Sequence, residues 1–439
     1  MLNYIWFGLL IFAVAIGGWQ GRLQQLTDAA FDSAKTGVMS IALPLVGITA
    51  LWLGLMRLAE RAGLIQAVAK ALRPLMQRLF PDVPPDHPAM GSMLMNMAAN
   101  VIGLANAATP LGLRAMNDLQ KLNPTPGTAS NAMCTFLALN TSSLQLIPAT
   151  AIGILAAAGA SNPTAIVGTT LIATFCSTAV GLIAVKTLEK LPGYRLPTSL
   201  PNETVSGAAE NIAETDEPAN GNKTGPWRAW QLAVVFGFVL LFMVFFANEM
   251  ARNARTGESG SFIRAMNAVS VLAVPFLLGL MPLCAVVRGV RVYEEFVAGA
   301  REGFGIAIRV IPFLVAMLVA IGVFRAAGGV EMLGRGLSPV LGIVGFPVDL
   351  LPMALTRPLS GSATIGLFAD LAKTLGPDHI VTRMGGTLLG STETTFYVIA
   401  VYFGAVSVRR ARHAVVAGLL ADFAGIVASV IVCRAVFGP

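Results

Sequence analysis

The chain has 439 residues, 55% of them hydrophobic and 12% charged, with a formal net charge of +7 and a mean hydropathy of +0.72. A soluble domain carries about 25% charged residues, so the composition excludes a water-soluble enzyme or binding module and defines a polytopic membrane protein. The expected fold class is all-α, because helices satisfy their own backbone in lipid and the alternating segments of a membrane barrel are missing. No basic cluster is interleaved with aromatics, so the surplus charge is expected in cytoplasmic loops and not on a nucleic-acid surface.

The first segment, "NYIWFGLLIFAVAIGGW", has no Lys or Arg before it, so a retained helix at 3–19 is expected in place of a signal peptide. Segment 20–37 is weakly amphipathic, and an apolar helix follows at 38–56. The stretch 58–80 places Arg61, Lys70, Arg73 and Arg78 opposite apolar residues and is expected to lie in the membrane interface. Two stretches, 90–113 and 132–150, mix apolar and polar residues in a way that a lipid-facing helix does not tolerate. An apolar helix covers 167–185. Residues 196–225 are acidic and rich in Pro, Gly, Asn and Thr, as in a flexible linker. Next comes an apolar helix at 229–247, followed by 271–287, a weakly amphipathic 289–303, mixed stretches at 353–371 and 383–402, and a last apolar run at 417–432.

These elements form an internal repeat. "FDSAKTGVMSIALPLVGITALWLGLMRLAERAG" from Phe31 pairs with "FVAGAREGFGIAIRVIPFLVAMLVAIGVFRAAGG" from Phe296, with Gly37 on Gly303, Pro44 on Pro312 and Arg57 on Arg325. "AMCTFLALNTSSLQ" at 132–145 pairs with "RMGGTLLGSTETTF" at 383–396, and 167–185 with 417–432. The expected division is a first repeat at 1–195, a linker at 196–228, an unpaired connecting helix and loop at 229–262, and a second repeat at 263–439. One extra crossing between two equal units inverts the second. Loop charge agrees: the segment after 38–56 carries five cations against Arg325 and Arg335 in its counterpart, while "GASNP" at 159–163 is uncharged and its counterpart holds Arg409, Arg410 and Arg412. Residues 57–80, 186–228, 288–302 and 409–413 are expected to be cytoplasmic. The loop 248–264, with Arg252, Arg255 and Arg264, runs against that assignment.

Polar residues gather in corresponding mixed stretches. The first half has Asn96, Asn100, Asn106, Thr109, Asn140, Thr141, Ser142, Ser143 and Gln145. The second has Thr356, Arg357, Ser360, Ser362, Thr364, Ser391, Thr392, Glu393, Thr394 and Thr395, with Gly103, Pro110, Pro358, Gly361 and Gly390 as breakers. Interrupted segments at matching places in two halves point to a transporter's binding site. A single Ser or Thr here reads as glue between helices; the recurring cluster reads as a site. Asn100, Asn106, Asn140, Ser143, Arg357, Ser360, Ser362, Thr392 and Glu393 are the candidate substrate-binding residues, and Asp370 and Asp422 the candidate ion-coupling residues. Arg357 and Glu393 are open to pairing with each other or to contact with a solute or ion. Arg114, Asp118 and Lys121 read as a solvated helix end. No histidine pair or cysteine motif has metal-ligand spacing, and the four cysteines read as small buried hydrophobes.

At these residues the sequence resembles a known family. "NMAANVIGLANAATPLGLRAMNDLQKLNP" is similar to spore maturation protein A, and "RPLSGSATIGLFADLAKTLGPD" with "GSTETTFYVIAVYFGAV" to spore maturation protein B. The resemblance implies two nucleoside-recognition or gate domains, a region shared with concentrative nucleoside transporters, in which broken helices or re-entrant hairpins meet at mid-membrane. It likens "GSTETTF" to a hairpin tip bearing Gly-Gln-Thr-Glu: Gly390, Thr392 and Glu393 match, and Ser391 replaces a base-reading Gln. The expected function is an ion-coupled secondary transporter of a small polar or anionic metabolite in the bacterial inner membrane. The alternative is a non-transporting scaffold or regulator in spore maturation or envelope assembly. No nucleophile–base pair stands out, so no enzyme is expected. No metal and no cofactor beyond Na+ or H+ as coupling ion is expected. The expected partners are a small-molecule solute, the lipid bilayer and, for a homo-oligomer, further copies of the chain, with no nucleic acid.

Overall fold

The computed structural model describes residues 2–103, 105–194, 227–255, 260–329, 332 and 345–438, without the side chains of a few helical positions, Asn106 among them. The linker up to residue 226, and Arg335, lie outside the described residues. Within them the chain forms seventeen α-helices and no β-strand. Among the described residues four helical stretches are long and apolar enough to cross a bilayer: Pro163–Leu188, Ala229–Arg255, Ser261–Val287 and Ala414–Phe437.

In the first half, α1 (Leu2–Trp19) leads to α2 (Leu23–Thr36), a π-helical stretch (Gly37–Ala42) and α3 (Leu43–Arg61). The last three run without a break, so the segment expected to lie separately at 20–37 is the start of one long rod. The wide turn falls just before Pro44, which cannot donate the helical hydrogen bond its position requires. Left-handed Gly63 (φ 79) ends the rod. It starts α4 (Leu64–Leu79), which buries Ile65, Ala69 and Met76 and exposes Lys70, Arg73 and Arg78, the amphipathic pattern of an interfacial helix.

Next, α5 (Pro88–Ile102) and α6 (Ala105–Lys121) fold back on one another at Gly103, whose φ of 91 suits glycine. Across this hairpin Ser92 donates to Asp118 (2.7 Å) and the Asn96 amide to the Ala108 carbonyl (2.7 Å). Asp118 is therefore buried and bonded to Ser92 and Lys121, which corrects its reading as part of a solvated helix end. The reason is the fold-back itself, which carries Asp118 to the buried start of α5.

The helices α7 (Asn131–Thr141) and α8 (Ala149–Ala157) behave differently. Each rises only about 14–17 Å, too short to cross a core of about 30 Å. They share almost no contact, and α7 packs on α9 (Ile166–Leu188) while α8 packs on α3. Residues 131–157 are thus one discontinuous helix, unwound over 142–148 and long enough as a whole to span.

After α10 (Ala229–Arg255) and α11 (Ser261–Val287), the second half repeats this plan. It has a long rod α12 (Val292–Ala326), a short hairpin of α13 (Leu351–Thr356) and α14 (Gly361–Thr374), a discontinuous helix of α15 (Ile380–Ser391) and α16 (Thr395–Ala405), and a span α17 (Ala414–Phe437). The 289–303 segment again merges into the rod. Because α15 and α16 also do not fold back on each other, "GSTETTF" lies in an unwound helix and not at a hairpin tip. The hairpin of this half is the 351–374 segment. Only 6% of the most apolar stretch of α10 is buried, so the unpaired helix sits at the periphery against α11.

Equivalent helices pack on each other antiparallel. Along α3 and α12, Gly54 faces Phe296, Ala50 faces Gly303 and Gly37 faces Leu318. Along α9 and α17, Gly181 faces Ala421, Ser177 donates to the Ala421 carbonyl (2.9 Å), and Thr169 reaches through Thr387 to Cys433. Likewise α1 packs on α12 as α11 packs on α3. The repeat-related arginines mark opposite ends of the α3–α12 pair. Arg57 binds Glu295 (2.7 Å) and Glu302 (2.5 Å), and Arg325 binds Asp370 (2.9 Å).

Small residues permit this crossing. A Cβ at Gly299 would stand 2.5 Å from the Leu53 carbonyl oxygen and 3.0 Å from the Gly54 Cα, both backbone atoms. Gly299→Val should therefore destabilise the folded protein by about 1–3 kcal/mol. Gly47→Ala, where a Cβ meets nothing within 4 Å, should not destabilise it. Unfolding in detergent by urea measures both; equal stability of the two variants would contradict this account of the crossing.

Candidate functional site at the crossing of two unwound helices

The two discontinuous helices cross where each is unwound. An interrupted helix leaves carbonyls without partners at one end and N–H groups at the other. Here the two interruptions answer each other: the Glu393 N–H donates to the Thr141 carbonyl (2.8 Å). Each interruption also rests on the hairpin of its own half. Leu146 N–H donates to the Val101 carbonyl (3.1 Å), and Phe396 N–H to the Pro358 carbonyl (3.0 Å). Thr174 of α9 donates to the carbonyls of Ser142 (2.9 Å) and Ser143 (2.7 Å), the latter held at φ 46.

Three groups of side chains surround the crossing. The first is an amide cluster. Asn100 donates to Asn140 (2.9 Å) and to Asn96 (3.4 Å), and the Tyr402 hydroxyl donates to Asn140 (3.4 Å). Tyr402 stacks on Phe136 with ring centres 6.0 Å apart. Gly112 makes room for it, since a Cβ there would stand 2.1 Å from the phenol oxygen.

The second group is Arg357, Thr392 and Glu393. Arg357, only 4% exposed, donates to the Thr392 hydroxyl (3.1 Å), the Leu389 carbonyl (3.0 Å) and the Thr392 carbonyl. Its guanidinium lies 3.9 Å from the Glu393 carboxylate, at ion-pair distance but beyond a hydrogen bond. The Glu393 side chain keeps 38% of its surface open. So the cation is committed to the unwound backbone, and the anion stays partly exposed.

The third group is Asp422 of α17, which accepts from the Thr395 hydroxyl (2.6 Å). The hydroxyls of Thr141 and Thr395 both lie beside Gly418, one turn before Asp422.

The structure thus brings Asn100, Asn140, Ser143, Arg357, Thr392, Glu393 and Asp422 to or beside one crossing. Ser360 caps α14 through the Ala363 N–H (3.2 Å) and lies 3.3 Å from the Ser362 hydroxyl, so both help build the hairpin turn. Asp370 is engaged by Arg325 at the end of the long rod. The Asn106 side chain lies outside the described residues. Ser391 is fully buried, donating to the Leu388 carbonyl (3.3 Å) and pairing with Ser429 of α17 (3.2 Å). Sequence reading passed over Tyr402, and placed Thr395 in the polar cluster without choosing it as a candidate. Their seven-residue spacing on α16 puts them on one buried face, but a tyrosine in an apolar run ordinarily reads as an interfacial anchor.

The geometry defines a class, and similarity to known proteins agrees with it. The model of the Gate family, nucleoside recognition, matches residues 42–158 and 307–409, one region in each half and together half of the chain. The chain belongs to the Gate nucleoside-recognition family, as a multi-pass membrane protein with two such regions. It is 44% identical over 185 residues to Spore maturation protein A of Bacillus subtilis (strain 168), which covers 42% of this chain and 93% of that protein. It is 42% identical over 173 residues to Spore maturation protein B of the same organism, covering 39% of this chain and 97% of that protein. Two separate relatives thus correspond to the two parts of this single chain.

Proposed function

We propose that the protein is an ion-coupled secondary transporter of the bacterial inner membrane, with its solute site at the crossing of the two unwound helices. The observation that carries this reading is the Glu393–Thr141 backbone contact, which puts an open carboxylate at the junction of two interrupted helices. Irregular backbone at membrane depth is tolerated only where protein or a water-filled cavity encloses it. The antiparallel packing of equivalent helices supports inverted topology of the two repeats, and alternating access is then a rocking of one repeat against the other. The linker 196–228 is on the cytoplasmic side in this reading.

Within the expected class of small polar or anionic metabolites, the charge arrangement favours a solute rich in hydrogen-bond donors. Glu393 and the oxygens of the amide cluster accept, whereas Arg357 is held by the unwound backbone. A nucleoside, whose sugar hydroxyls donate, fits this pattern and the family description. The test is thermal unfolding of the purified protein with nucleosides, sugars, amino acids and organic phosphates, each with and without Na+. A neutral or cationic solute rich in donors should raise the midpoint. A response confined to phosphates would refute the assignment of polarity. The names of the two relatives favour a second reading, a scaffold or regulator of spore maturation or envelope assembly without flux. A panel in which no solute stabilises the protein would favour that reading.

A further inference from the structure

Among the described residues the crossing holds one cation and two carboxylates: Arg357, Glu393 and Asp422. Arg357 lies 3.9 Å from Glu393, so one carboxylate is balanced. Asp422 is left over, and its setting is unlike that of Glu393. It is 1% exposed; Thr395 is the partner of its Oδ2 (2.6 Å), and among the described residues its Oδ1 has no hydrogen-bond partner. An ionised carboxylate buried with one oxygen unsatisfied is strongly disfavoured and resolves by neutralisation or pairing.

A protonated acid resolves it with the contacts present. The 2.6 Å Thr395–Asp422 contact then reverses its sense, with the acid O–H donating to the threonine hydroxyl and the remaining oxygen uncharged. A multidentate metal fits less well, since no group of three His, Cys, Asp or Glu side chains gathers among the described residues. The charged groups whose fields reach Asp422 are Arg357, from the hairpin turn, and Glu393, from the interruption. On the helices packed against α17, Lys186 pairs with Glu189, Arg383 with Asp378, Tyr402 with Asn140 and Cys134 with the Ala411 carbonyl, while Tyr397 is exposed and Cys176 half-buried.

Position gives the group a consequence. Thr395 begins α16, immediately after the unwound residues 392–394. Gly425, one turn beyond Asp422, lies so close to Thr392 that a Cβ there would stand 2.4 Å from its methyl carbon. Any movement of the interruption therefore moves the partner of Asp422. In the first half the corresponding position is Ile172, so this device exists in one repeat only.

We infer that Asp422 is a proton-binding site, protonated in the arrangement described and released to water when the interruption parts from α17. The proton is taken up by the carboxylate to give the carboxylic acid and returns to water on release, with no other reactant. Its part in coupling rests on the transport reading above; its protonation does not.

Infrared spectroscopy of the full chain in lipid nanodiscs, titrated with pH, tests the inference without any solute. A C=O stretch of a protonated carboxylic acid should be present at neutral pH, survive in Glu393→Gln and vanish in Asp422→Asn. A Thr395→Val variant, should Asp422→Asn fail to fold, should shift the band and its titration midpoint. Overturning results are absence of the band at neutral pH, its persistence in Asp422→Asn, an unshifted band in Thr395→Val, or its loss on adding Na+ at fixed pH. The last would assign the site to a monovalent cation. The solute panel fails or succeeds independently of this band, so the two readings fall separately.

Discussion

Glu393→Gln abolishes solute-dependent stabilisation and transport while leaving the protein folded. The fold uses the Glu393 backbone, through its N–H bond to the Thr141 carbonyl, and that bond survives the substitution. Among the described residues the carboxylate makes no hydrogen bond; Arg357 lies 3.9 Å away, and 38% of its surface is open. Intrinsic stability should therefore change by about 1 kcal/mol or less, as for a solvent-reached ion pair. A ligand at a hundred times its dissociation constant stabilises the wild type by about 2.7 kcal/mol, and this increment should disappear. Paired unfolding curves with and without the stabilising solute measure both quantities. A variant that retains the full increment would remove Glu393 from the site.

Arg357→Ala gives the opposite phenotype, a large loss of stability. Its guanidinium bridges the Leu389 carbonyl, the Thr392 carbonyl and the Thr392 hydroxyl, groups exposed by the interruption itself. Removing it leaves buried carbonyls unsatisfied and Glu393 without a counter-charge. The expected cost is about 3–5 kcal/mol, the range for breaking a buried charged contact. Arg357→Lys should recover only part, because an ammonium cannot span the three acceptors as a planar fork does. Urea unfolding in detergent gives the comparison. A cost for Arg357→Ala no larger than that for Glu393→Gln would mean that Arg357 is not what secures the unwound backbone.

These two residues show how far the sequence could be read. Both stand out as charges in apolar runs, and their positions in repeated, Gly- and Pro-punctuated stretches mark them for a site. Their division of labour is not legible there. From sequence the two are open to pairing with each other or to contact with a solute or ion, and only the hydrogen bonds show one holding backbone while the other, 3.9 Å away, stays partly exposed. The same holds for Asp370 and Asp422, which sequence marks only as candidate ion-coupling residues. One is claimed by Arg325, a residue 45 positions away, and the other, among the described residues, by Thr395. Asp118 looked solvated because the fold-back that brings Ser92 to it is a tertiary event.

The sequence by itself determined the membrane class, the all-helical fold, the two repeats and the stretches that must be interrupted. Those follow from hydropathy, periodicity and helix breakers, which act locally along the chain. Which interruption is a fold-back and which a gap in a spanning helix depended on what each half-helix packs against, and so did the role of each charge. The short helices α5, α7, α8 and α16 carry similar mixtures of apolar and polar residues. Their course is set by antiparallel contacts with the other repeat and by backbone bonds such as Glu393 to Thr141, made across 252 residues of chain, which no local pattern encodes.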